Sequence, residues 1–126
     1  MRVGRDFEMN ATWLRKTCTP CKGDTPSLSK EQALQYLGDI PAWQLSTDTH
    51  SIRRDYRMKD FMAAIDFIHE IAKLAESEGH HPDIHLTGYR NLAVELSTHS
   101  IGGLSENDFI LAAKIDALPK ELKTDK

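Results

Sequence analysis

Four of the six histidines, His80, His81, His85 and His99, fall within twenty positions of the stretch EGHHPDIHLTGYRNLAVELSTHSIGGLSENDF, Glu78 to Phe109. Histidine titrates near neutral pH, so two or three imidazoles around one pocket, steadied by a carboxylate, supply both an acid and a base without a metal. Dehydration and proton transfer are the reactions such a set suits. Pro82 biases His81 toward an extended backbone, and adjacent extended residues point in opposite directions, so His80 and His81 need not share one task. Glu76 falls in the last turn of a predicted helix, where the helix dipole disfavours a negative charge by roughly 0.3–1 kcal/mol. Helix stability therefore does not explain it. On the residues alone two other readings stay open, surface histidines after a helix and a metal site. Against the metal, adjacent histidines rarely ligate one ion together, and no HExxH pattern is present. His85, His50 and His69 have no evident partner and read as exposed or structural.

The elements that must position these groups follow from periodicity and punctuation. Ser29 and Gln32 form a capping box ahead of Ala33, Leu34 and Leu37, a short first helix ending at Gly38. After Pro41 two β-leaning runs around a polar turn predict a hairpin, with Ile52, Arg54 and Tyr56 on one side. Phe61, Ala64, Ile65, Ile68, Ala72 and Ala75 recur at helical spacing and predict a long helix, closed by Gly79 in the left-handed position. DIHLTGY and RNLAVELSTH read as paired strands, the row Leu92, Val94, Leu96 and Thr98 facing the core and His99 projecting from the other side. Ser105 opens a third helix with Asp108 at the capping-box position, which gives Asp108 a sufficient structural task and leaves it outside the catalytic set. Trp43 and Tyr89 are read as core aromatics. Three helices and about four strands predict an α+β fold, a single four-stranded antiparallel sheet with the helices on one face.

Length and composition fit one domain. The chain has 126 residues, ordinary apolar and charged fractions of 40% and 28%, and no apolar run near the roughly 20 residues that cross a bilayer, so no membrane association is expected. A formal charge of −3 with scattered Lys and Arg excludes a basic footprint for direct nucleic-acid binding. Residues 1–24 read as an N-terminal arm without sustained periodicity, its order left open, and 25–126 as the domain proper. Asp6 and Glu8 contradict a transit peptide. Cys18 and Cys21 form a lone CxxC in a loop-like context without a second pair, an accessory or structural pair rather than a redox or zinc motif. With no signal peptide it favours a reducing cytoplasm, an organelle being the alternative.

Together, EGHHPDI, the following Tyr89, LSTHSIGGLSENDF and the preceding YRMKDFMAAIDFI resemble the pterin-4a-carbinolamine dehydratase family. The likeness runs from Glu76 through His80-His81-Pro82, Tyr89 and His99 to Asp108, and spans roughly residues 25 to 118. It implies the same helix-covered four-stranded sheet, a homodimer or homotetramer, and a pterin substrate. The implied reaction is loss of water from 4a-hydroxytetrahydropterin to give quinonoid dihydropterin, recycling the cofactor of aromatic amino-acid hydroxylases without a metal or organic cofactor. Carried over by position, His80, His81, His99 and Glu76 are the catalytic candidates, and Pro82, Ser97, Thr98 and Ser100 the substrate-binding ones. The resemblance also implies an alternative, a non-catalytic role as a transcription-factor dimerisation partner or an assembly chaperone.

Overall fold

The computed structural model describes residues 12–19 and 25–124. In chain order, helix α1 (Lys30–Leu37) is followed by β1 (Gln44–Leu45), β2 (Ile52–Arg57), helix α2 (Phe61–Glu78), β3 (Asp83–Thr87), β4 (Asn91–Leu96), a 3-10 turn (His99–Ile101) and helix α3 (Glu106–Ala117). Residues 12–15 add a helical turn ahead of α1. The strands make one antiparallel sheet in the order β1-β2-β4-β3, with Ile52 opposite Leu96 and Ile84 opposite Val94. The predicted α+β fold is the observed one, down to both capping boxes, Ser29 with Gln32 and Ser105 with Asp108.

Period two sorts the sheet into a wet face and a dry one. Ile52, Tyr56, Leu92, Val94 and Leu96 are buried in the same cluster as Phe67 and Ile71 of α2 and Phe109, Leu111 and Ile115 of α3. On the other face Arg53 pairs with Asp55 and, across the strands, with Glu95, which also meets His85. These exposed pairs add little stability but fix which side faces water. Under the dry face Asp116 accepts hydrogen bonds from Trp43 Nε1, Arg54 and the Tyr56 hydroxyl. Trp43 is a core aromatic as expected, whereas Tyr89 is 57% exposed. Its positive φ of 56° at the β3–β4 turn turns the ring outward over Arg90.

Helix α2 buries a different stripe from the one its spacing suggests. Ala63, Ala64, Phe67, Ile71 and Ala75 face the core, while Phe61 and Ile65 are 50% and 39% exposed. The helix is apolar over more than one face, so periodicity identifies the element without choosing the stripe, and it is Phe67 and Ile71 that pack into the core. Its ends are sharp. Asp60 accepts from the Ala63 N–H at 2.8 Å, and Gly79 at φ 65° turns the chain out of the helix, which sets where His80 and His81 begin.

Candidate active site

His80 leaves the end of α2 and turns toward the start of α3. Its Nε2 lies 2.6 Å from Asp108 Oδ1, with the ring 12% exposed and the carboxylate fully buried. A buried carboxylate needs its lone pairs filled. Asp108 Oδ2 accepts from the Thr98 hydroxyl at 2.8 Å and from the Ser105 N–H at 3.0 Å. With the Thr98 proton committed to Asp108, the Ser105 hydroxyl donates to Thr98 Oγ1 at 2.7 Å and itself accepts from the Asn107 N–H. One carboxylate thus caps α3, ties the end of the β4 segment to it and holds the His80 ring. A carboxylate accepting from Nε2–H fixes the imidazole's orientation and tautomer, and leaves Nδ1 as the nitrogen not engaged by Asp108.

His81 points elsewhere, as adjacent extended residues do. Its Nε2 lies 2.5 Å from Glu76 Oε2, both groups being well exposed. His99 opens the 3-10 turn just beyond β4 and is exposed; Gly102, in the left-handed region at φ 64°, ends that turn. The three imidazoles line one cleft of about 350 Å³, together with Gly79, Ser97, Thr98 and Ser100. Thr19 and Asn107 complete its wall. Of the sequence-predicted set, Glu76 and Pro82 are not in that lining; Glu76 reaches the cleft through His81. His85 and His50 are surface residues beside Glu95 and Asp48.

Two residues have a part in this site that sequence reasoning does not signal. Asp108 reads as a cap, and its second bond to His80 crosses 28 positions. Glu78, near the end of α2, accepts from Lys114 Nζ at 2.6 Å and from the Cys18 N–H at 2.9 Å. Burial alone would raise the Glu78 pKa, but those two donors outweigh it and hold the carboxyl below its ordinary value. The neighbouring Cys18 thiol is pushed up to about 12, by burial first and by the Glu78 charge second. A thiol so protonated is a poor nucleophile. Cys21, the other half of the CxxC, lies outside the described residues.

An α+β domain with a histidine–carboxylate cleft between the end of its long helix and the end of its central strand is the class that fold and site define. The family model described as pterin 4 alpha carbinolamine dehydratase matches residues 26–118. A putative pterin-4-alpha-carbinolamine dehydratase of Halorhodospira halophila is 48% identical over 103 residues, 82% of this chain and 94% of that protein. The mitochondrial pterin-4-alpha-carbinolamine dehydratase 2 of Arabidopsis thaliana is 45% identical over 93% of this chain, which covers 64% of the plant protein. Among solved structures, a transcriptional coactivator/pterin dehydratase from Brucella melitensis superposes with a TM-score of 0.68 at 32% identity, over 72% of this chain and 96% of that one. The chain belongs to the pterin-4-alpha-carbinolamine dehydratase family, whose named activity is that of a hydro-lyase. No helix among the described residues is long and apolar enough to cross a membrane.

Proposed function

We propose that this protein removes water from 4a-hydroxytetrahydropterin, giving quinonoid dihydropterin and so returning the cofactor of aromatic amino-acid hydroxylases to use. The observation that supports it most is the convergence of His80, His81 and His99 on one cleft, with His80 held by a buried carboxylate. In the elimination the C4a–O bond breaks as the departing hydroxyl takes up a proton. The N5 proton is lost to a base, and the N5–C4a double bond forms. Only protons are exchanged, so the balance requires no oxidant or reductant. One histidine serves as the acid and another as the base, Glu76 orients His81, and Asp108 orients His80. Ser97, Thr98 and Ser100 contribute the polar lining for the pterin, and Pro82 fixes the backbone that presents His81.

A second reading is favoured by the apolar stripe that α2 leaves in water, Phe61, Met62 and Ile65. A helix face of this kind suits association, and we assign it first to a second copy of the chain, in a homodimer or homotetramer. A non-catalytic interaction role would use the same face with the cleft idle. The compartment we propose is the cytoplasm; the mitochondrial name of the Arabidopsis relative marks an organelle as the alternative.

The test is the rate of 4a-hydroxytetrahydropterin dehydration, the substrate being made in place by a hydroxylase and followed by ultraviolet absorbance. Light scattering on the same sample gives the oligomer. The wild type should exceed the spontaneous rate, and at least one of His80→Ala, His81→Ala and His99→Ala should lose about 10²-fold or more, the scale of general acid–base catalysis. A folded wild type that adds nothing to the spontaneous rate leaves the interaction role.

A further inference from the structure

Part of the cleft wall comes from outside the segment the family model covers. Thr19 lines the cleft, yet the matched segment begins only at residue 26. The arm that carries Thr19 is held at both ends. Upstream, Trp13 is 4% exposed, edge-on to Tyr36, beside Phe109, and donates from Nε1 to Asp39 Oδ2 at 2.8 Å. Downstream, three bonds seize its main chain. The Cys18 N–H donates to Glu78 Oε1 at 2.9 Å, the Thr19 N–H donates to Asn107 Oδ1 at 3.0 Å, and Asn107 Nδ2 donates to the Thr19 carbonyl at 2.6 Å.

The Asn107 carboxamide therefore meets the Thr19 peptide as a neighbouring strand would, giving one donor and taking one. α3 does not need this of Asn107, since Ser105 and Asp108 already cap its start. Both groups that grip the arm adjoin the imidazoles. Glu78 is two residues before His80, and Asn107 immediately precedes Asp108, which holds the His80 ring. Because these bonds go to main chain, the clamp fixes where the arm runs beside the cleft.

We propose that residues 17–19 are a strap that closes one side of the substrate cleft, and that Asn107 is a positioning residue which sets the strap through the Thr19 peptide. The proposal rests on the pterin reading above and adds to it where the ligand is held: by the arm, away from the proton-transferring groups. A contact present equally in ground and transition states lowers KM and leaves kcat alone. Loosening the strap should therefore weaken pterin binding about tenfold, the scale of one or two lost hydrogen bonds, with kcat nearly unchanged.

The experiment uses the full chain and 7,8-dihydrobiopterin as an unreactive probe. Its Kd is measured by calorimetry for wild type, Asn107→Ala and Thr19→Pro, alongside KM and kcat. Thr19→Pro removes the arm's N–H but also its side chain and backbone freedom, so Thr19→Ala is measured beside it to isolate the side chain, and the pair tests the clamp even if Asn107→Ala unfolds. Tryptic cleavage after Lys16 is timed with and without probe, because linkage requires that whatever the strap gives the ligand, the ligand returns to the strap. Expected are a roughly tenfold higher Kd and KM in Thr19→Pro with kcat kept, and slower cleavage of wild type when the probe is bound. Equal Kd in wild type and Thr19→Pro, with cleavage indifferent to the probe, overturns the strap. A fall in kcat with Kd unchanged overturns it too, and assigns Asn107 to Asp108 instead. If the probe binds and protects the arm but no dehydration occurs, the strap stands and the dehydratase reading falls. A folded wild type that does not bind the probe overturns both.

Discussion

Asp108 satisfies two demands with one carboxylate. Oδ2 takes the Ser105 N–H of the capping box and the Thr98 hydroxyl, and Oδ1 takes His80. The first demand is legible in the sequence, because a capping box is a local pattern four residues long. The second is not, because nothing local announces a partner 28 positions away, and a side chain with a sufficient local explanation invites no other. The three imidazoles were legible for the opposite reason: their grouping at fixed separations has no explanation in helix or strand formation. Replacing Asp108 with Asn separates the two demands. An amide oxygen can still accept from the Ser105 N–H and the Thr98 hydroxyl, but its NH2 then faces His80, and the ring loses its charged partner. We expect turnover to fall by about 10²-fold or more, against a stability loss of only about 1–3 kcal/mol. Activity assays beside urea melts of Asp108→Asn check this. Wild-type turnover in the folded variant would return Asp108 to the rank of a cap.

At the scale of elements, α2 shows what spacing can and cannot convey. Its existence and its left-handed stop at Gly79 were readable, because each is set by neighbours in sequence. Which of its apolar stripes goes inside was not, since that is settled by the sheet and α3 rather than by the helix. The same helix ends on two acids, Glu76 and Glu78, which its dipole disfavours. Each is answered from outside the helix, Glu76 by His81 and Glu78 by Lys114 and the Cys18 N–H. For Glu78 the answer has a pH signature. Its folded pKa lies below the ordinary value of 4.5, so its contribution is fully present above about 4.5 and is lost as pH falls through the lower folded value. Glu78→Gln should cost about 1–3 kcal/mol in urea melts at pH 7, the scale for hydrogen bonds to a charged group, and the gap to wild type should narrow through the acid range. A gap that stays constant from pH 7 to pH 3 would mean that the charge of Glu78 is not what binds the arm to α2.

At the scale of the whole molecule, the helix-covered sheet was legible because its strands alternate and its helices are capped, two periodic signals that need no knowledge of what packs where. The arm has neither signal. Its upstream hold in the described structure is a single large side chain whose partners, Asp39, Tyr36 and Phe109, are all distant in sequence. The buried cluster therefore extends beyond the segment that matches the family model, residues 26–118, and Trp13 should behave as a core residue. Trp13→Ala removes an indole that is 4% exposed and strands Asp39, whose Oδ1 already has no hydrogen-bond partner among the described residues. The expected cost is about 3–5 kcal/mol, as for other large aromatics cut back to alanine in a packed interior. Urea denaturation followed by far-UV circular dichroism measures it. A cost below about 1 kcal/mol would show that the domain closes its core without the arm, since surface substitutions stay within about 0.5 kcal/mol. The full cost would show that an arm with no periodicity is part of the core, and that the wall it gives the cleft is as firmly placed as the histidines it faces.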